Sequence, residues 1–348
     1  MNTKRFTIFG LLIVAAMLIA ACGGAAAGPK ADDKIKAVFI IGGTLGDKSF
    51  NDSAHRGLTQ AQEELGIEYV YVEASSDPAK IEGAFSDALN DESVDFIIQA
   101  QGNLTEKLLE IAPDYPDKKF VIFDNPFDFE ACPECKANVY AIQYAQNEGS
   151  YLAGYYAGLM SESKIIGAVG GQDIPVIQDF MIGYKQGAVD AGLKEENVLV
   201  QFAATWSDPA KGKELALAMY AQGADVVFQV AGGTGEGVFY AAEEANKWAI
   251  GVDSDQALIV EENSPEQAAR ILTSMLKNVD KSLFRFFQMN AEGKVPWGTN
   301  ELLGIAEDGV GLALNKYYEE NTPQDVKDKM AEAIKKVTAG EIEVATVF

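Results

Sequence analysis

At 348 residues the chain exceeds one ordinary hydrophobic core and suits two lobes of middling size. Its 28 Lys and Arg against 52 Asp and Glu give a net charge of −24. So negative a surface repels phosphate backbones and anionic headgroups, which argues against nucleic acid as a partner while leaving a neutral ligand open. With His55 as its only histidine, the chain is a poor match for a Ser-His-Asp triad, an H-E-x-x-H zinc site or a multi-histidine metal centre.

Lys4 and Arg5 precede an apolar run over 6–21 that is too short to span a membrane and ends on Ile19, Ala20, Ala21 and Cys22. Apolar, small, small, cysteine resembles a bacterial lipobox. It implies a signal peptide over 1–21, diacylation of Cys22 and a chain held by acyl groups on the outer face of the cell membrane. The Gly/Ala-rich stretch over 22–33 reads as a flexible tether.

From residue 34 short β-rich runs alternate with helical stretches. Strands are expected over 37–41, 69–73, 96–100, 120–123 and 139–142, with helices over 52–65, 78–89 and 105–111. Continuous apolar strands alternating with helices imply a parallel sheet covered on both faces. The second half repeats the plan, with strands over 165–169, 198–203, 226–230 and 249–252 and helices near 149–160, 176–191, 209–222 and 237–246. Letters repeat too: S-D-P-A-K at 76–80 recurs at 207–211, and D-F-I-I-Q at 95–99 recurs as D-V-V-F-Q at 225–229. Two matches in the same order favour two lobes of like topology. Beyond Asp253 the pattern gives one long helix over about 265–289, strand material to 314 and a last helix over 323–339.

The fold expected is α/β, two doubly wound parallel-sheet lobes joined by several hinge crossings near 143–146, 253–256 and 297. The first lobe takes 34–145 plus about 254–295, the second 146–253 plus about 296–348. Cys132 and Cys135, in E-A-C-P-E-C-K, read as a small loop-closing disulfide rather than a redox centre, and zinc would want ligands that no second pair supplies.

Ligands of such folds settle beyond the carboxyl ends of the strands. There the chain offers Asp47, Ser49, Phe50, Asn51, Asn103 and Asp124 from one lobe, and Asp173, Trp206, Gly232 to Gly235 and Asp253 from the other. Carboxylate, hydroxyl, amide and ring faces suit something flat and polyhydroxylated. The glycine run at 232–237 misses the dinucleotide spacing, because a count from Gly233 puts Val238 at the third glycine; its backbone N–H groups instead suit close approach to a neutral ligand. No cofactor is expected.

Several motifs carry a resemblance: G-D-K-S-F-N-D at 46–52, G-S-Y-L-A-G-Y-Y-A-G at 149–158, G-A-V-G-G-Q-D-I-P-V at 167–176, V-A-G-G-T-G at 230–235, and G-V-D-S-D-Q at 251–256 with T-S-M-L-K at 273–277. Together they resemble the BMP (basic membrane protein) family of lipoprotein substrate-binding subunits of nucleoside ABC importers. The resemblance implies a type I periplasmic-binding-protein fold, no catalysis, and permease and ATPase subunits as partners. It implies that Phe50 stacks on a purine with Asp47 and Asn51 nearby, and that Asp124 meets the base edge. Asp253 would take the ribose hydroxyls, Lys277 would donate to the sugar, and the Gly233 to Gly235 turn would approach the 5′ side. Trp206 or Phe180 would be the second stacking residue. The alternatives are a receptor for a sugar or another small polar solute, a surface sensor without transport, or a hydrolase on the same fold. A monomer is expected, since the lobes must open and close.

Overall fold

The computed structural model describes residues 34–348. The expected signal peptide, the expected tether and Cys22 lie outside the described residues. The chain runs β1 (Lys36–Ile41), α1 (Phe50–Leu65), β2 (Glu68–Glu73), α2 (Pro78–Asn90), β3 (Phe96–Gln99), α3 (Gly102–Ile111), β4 (Lys119–Phe123) and β5 (Val139–Tyr144). It continues through α4 (Gln146–Met160), β6 (Ile166–Gly170), α5 (Pro175–Asp190), β7 (Val198–Phe202), α6 (Pro209–Ala221), β8 (Val226–Val230), α7 (Glu236–Ala245) and β9 (Trp248–Asp253). The remainder is α8 (Gln256–Glu261), α9 (Pro265–Ala268), β10 (Ile271–Lys277), α10 (Val279–Ala291), β11 (Asn300–Leu303), β12 (Val310–Leu312), α11 (Lys316–Asn321) and α12 (Gln324–Thr338).

Two six-stranded sheets result, ordered β11-β5-β4-β3-β1-β2 and β12-β10-β9-β8-β6-β7. The two orders are the same once each strand of the second sheet stands for its counterpart in the first. All pairings are parallel except β10 with β12. The strands read as continuous apolar runs because helices bury both faces: β3, β6 and β8 have no exposed residue. The repeated S-D-P-A-K caps α2 and α6 alike: Asp77 accepts from Ala79 N at 2.9 Å and Asp208 from Lys211 N at 3.0 Å. A proline opens each helix.

The glycine-punctuated stretch 149–158 is helix α4, buried along most of its length. A Cβ on Gly154 would lie 1.9 Å from Tyr184 O, and one on Gly187 would lie 2.0 Å from Tyr151 O. These glycines therefore let α4 and α5 touch backbone to backbone. Cys132 and Cys135 are disulfide-bonded and buried beside Phe127, Phe129 and Leu108.

Two sequence expectations are corrected. The long helix over 265–289 is three elements, α9, β10 and α10. β10 pairs with β9 and β12, so the stretch from α8 to β10 belongs to the second lobe, while β11 pairs with β5 and belongs to the first. The polar letters of T-S-M-L-K hide a strand because their side chains are satisfied inside the sheet. Thr273 Oγ1 donates to Ala313 O at 2.7 Å, and Ser274 Oγ accepts from Gln256 N at 3.1 Å. The crossings accordingly lie at 144–146, 277–279 and 303–310; the first falls where the sequence places it, and the other two do not.

Candidate functional site

The loop between β1 and α1 is shaped by Asp47. Its buried carboxylate accepts from the backbone N of Ser49, Asn51 and Asp52 at 3.0, 2.9 and 3.1 Å, and from Asn51 Nδ2 at 2.9 Å. Burial pushes this carboxyl up to about 6, against the pull of those backbone donors. Asp47 thus spends its carboxylate on Asn51 and on the start of α1, and Asn51 spends its Nδ2 on Asp47. Ser49 turns the other way and donates its hydroxyl to Asp253 of the second lobe.

Lys277, only 3 % exposed at the end of β10, crosses to the first lobe. Its Nζ lies 2.7 Å from Asp124 Oδ1, 4.7 Å from the Phe50 ring centroid, 5.1 Å from that of Phe180 and 5.6 Å from that of Tyr144. Phe50 is itself held by stacking on Phe123, with centroids 5.3 Å apart. Phe50, Asp124 and Tyr144 come from the first lobe, Phe180, Asp253 and Lys277 from the second. Burial raises the Asp124 and Asp253 carboxyls, and the Lys277 ammonium pulls both back down. Two carboxylates against one ammonium leave acceptor capacity for hydroxyl or amide donors and disfavour an anionic ligand.

Beside this cluster lies a cavity of about 340 Å³, lined by Asp124, Tyr144, Gln146, Asn147 and Asp179 among others. Asp179 is buried and committed, accepting from Gln146 Nε2 and Thr346 Oγ1 at 2.8 and 2.7 Å. Tyr144, placed at the first crossing, is a site neighbour that no motif marks; its hydroxyl pairs with Ser282 at 2.5 Å and is held neutral by burial.

Trp206 packs on the turns after β6 and β8. Its ring covers Gly171, where a Cβ would come within 2.2 Å of it, and its carbonyl accepts from Thr234 N at 3.0 Å. The rings that face Lys277 are those of Phe50, Phe180 and Tyr144. A Cβ on Gly233 would lie 3.2 Å from Trp206 O, and one on Gly235 would overlap the Gln229 amide at 1.7 Å, so local packing accounts for both glycines. Asn103 and Asp173 are exposed, and Asp173 accepts from Gln178 Nε2 at 2.7 Å. Among the described residues no group of His, Cys, Asp and Glu could hold a metal ion.

Paired doubly wound lobes, crossed three times by the chain and meeting over aromatic rings and buried carboxylates, define a two-lobed solute receptor with the type I periplasmic-binding-protein fold. The model of the Bmp family, described as ABC transporter substrate-binding protein PnrA-like, matches residues 34–345, and the chain belongs to that family. It is 31% identical over 365 residues to the CD4+ T-cell-stimulating antigen of Listeria innocua, with 99% of each chain covered. It is 30% identical to the ABC transporter nucleoside-binding protein BmpA of Lactococcus lactis, again with 99% of each covered. Basic membrane protein A of Borreliella burgdorferi is 30% identical, covering 88% of this chain and 86% of that one. Among solved structures, an ABC transporter solute-binding protein of Aeropyrum pernix superposes with a TM-score of 0.78 at 27% identity, over 90% of this chain and 93% of that one. One from Conexibacter woesei, at 18% identity and a TM-score of 0.70, shares the fold. The family is one of substrate-binding proteins, not of enzymes.

Proposed function

We propose that the chain is a lipid-anchored, extracytoplasmic receptor that closes on a nucleoside, most readily a purine nucleoside, and hands it to the permease and ATPase of an ABC importer. The observation that carries the ligand class is the Lys277 cluster. Two phenylalanines from opposite lobes approach one ammonium, and a carboxylate stands at the strand end of each lobe. A flat base between rings, with a polyhydroxylated sugar on a carboxylate, matches that set in shape and in donor count. The name of the Lactococcus relative supports the same class, and Ile19-Ala20-Ala21-Cys22 supports the anchor. In this reading Phe50 and Phe180 stack, Asp124 meets the base edge, Asp253 takes the ribose hydroxyls with Ser49 beside it, and Lys277 moves between the carboxylates and the sugar. Asp47 and Asn51 hold the loop that presents Phe50, and Trp206 with Gly233 and Gly235 forms the wall toward the 5′ side.

The test is a thermal-shift panel on protein refolded to strip carried-over ligand, against purine and pyrimidine nucleosides, free bases, ribose and glucose. Ligand at a hundred times its dissociation constant adds about 2.7 kcal/mol, enough to raise Tm by several degrees. The expected result is a shift with purine nucleosides and none with ribose. A shift with ribose or glucose alone would overturn the stacking roles and leave a sugar receptor; silence across the panel would overturn the nucleoside reading.

A further inference from the structure

Lys48 stands at the tip of the β1–α1 loop with a left-handed backbone, φ 52°. The first lobe fixes that conformation: Lys48 N donates to Asp52 Oδ2 at 2.8 Å, and Gly46 N donates to Oδ1 of the same carboxylate at 2.8 Å. Two groups of Lys48 then cross to the second lobe. Its carbonyl accepts from Gln256 Nε2 at 3.1 Å, and its Nζ pairs with Glu236 Oε2 at 2.7 Å.

Both partners are themselves anchored. Glu236 is the first residue of the ten-residue helix α7, where the helix dipole favours a carboxylate. Gln256 is fully buried, its Oε1 accepting from Val252 N at 2.8 Å and Gln229 Nε2 at 2.5 Å. That leaves the donor side of its amide for the first lobe. The contacts can form only when the lobes are together, because Lys48 lies beyond a strand end of the first sheet and Glu236 and Gln256 beyond strand ends of the second.

We propose that Lys48, Glu236 and Gln256 form a closure latch, positioning residues separate from the Phe50, Asp124, Asp253 and Lys277 cluster that set how long a solute stays between the lobes. The inference rests on the nucleoside reading for its probe, inosine, and on geometry alone for closure. With side-chain exposures of 33 and 19 %, the Lys48–Glu236 pair is in reach of water and salt. Its contribution is therefore modest and screened by salt.

The experiment is stopped-flow release of inosine from the wild type, Lys48→Met, Glu236→Gln and the double variant, at low and high salt. Each single variant should release inosine roughly two- to fivefold faster, with the association rate little changed. The double variant should release no faster than either single one, and high salt should bring the wild type to the variants' rate while leaving theirs unmoved. The reversed pair, Lys48→Glu with Glu236→Lys, should restore part of the slow release, the helix dipole at the start of α7 opposing the lysine. A merely structural role would lower the melting temperature of the ligand-free protein and give no salt dependence of release.

Additive single effects, or salt-independent release from the wild type, would overturn the latch. Small-angle scattering of the ligand-free proteins provides a second arm: the radius of gyration of Lys48→Met and Glu236→Gln should exceed that of the wild type at low salt. If the wild type binds none of the panel's nucleosides, the nucleoside reading fails and scattering alone decides, with equal radii overturning the latch.

Discussion

Asp124 in the first lobe and Asp253 in the second occupy equivalent places at the ends of β4 and β9, with φ of 64° and 62°. The left-handed backbone, which aspartate adopts more readily than most residues, aims both carboxylates off the sheet toward the other lobe. There the likeness stops: Asp124 takes the Lys277 ammonium, and Asp253 takes the Ser49 hydroxyl. Gln99 and Gln229 are a second such pair, each accepting from the backbone N–H two residues on, at Gln101 and Ala231. Only Gln229 also bonds a second glutamine, Gln256. The helices that follow the first strands differ most. α1 begins under the carboxylates of Asp47 and Asp52, whereas α5 begins with a proline and has no side-chain cap. Duplicated topology thus places equivalent backbone positions opposite one another, and the non-equivalent partners distinguish the two halves of the candidate site.

The largest test of this contrast is Lys277→Met. It leaves Asp124 and Asp253 buried without the cation that lowers both, and urea unfolding should show a loss of about 3–5 kcal/mol. Asp124→Asn in that background should recover part of it. Wild-type stability for Lys277→Met would break the shared-cation account.

Next come Asp124→Asn and Asp253→Asn, which keep a residue that tolerates the left-handed backbone. Titration calorimetry with inosine should show a loss of about 1.5–3 kcal/mol for each, roughly ten- to a hundredfold in Kd. An effect at one aspartate and none at the other would confine recognition to one lobe.

The smallest effect belongs to Asp47, whose carboxyl rises from an ordinary 3.8 to about 6 in the folded chain. The folded state holds that proton more tightly than the unfolded state. The resulting stabilisation is complete below about 3.8 and is lost as pH rises through about 6, an effect of order 1–3 kcal/mol. The stability of the wild type minus that of Asp47→Asn should therefore fall across that window. A flat difference for Asp47→Asn would show that its carboxyl does not titrate there.

Much of this architecture is legible in the letters. Apolar runs mark the strands, S-D-P-A-K marks two helix starts, and the aspartates at 124 and 253 point to the candidate site because doubly wound strands end there. β10 was hidden because amphipathic helices flank it and its Thr, Ser and Lys look solvated until the sheet supplies their partners. That one strand shifts two of the three crossings. The inward turn of Asp47 depends on a side-chain torsion that no spacing encodes. The pairing of Lys48 with Glu236 spans 188 residues and becomes visible only once the sheets face each other.

The returning chain has a consequence for synthesis. The first lobe's sheet buries Phe96 and Tyr140 beneath Phe286 and Phe287 of α10, with Trp297 closing the cluster. A nascent chain that has already completed β5 must therefore keep this aromatic face open to water while the whole of α4 to β10 is made. Domains that finish folding only after a later segment arrives are the ones that chaperones or delayed export must shelter. Truncation anywhere before 297 should yield a sticky chain, not half a receptor.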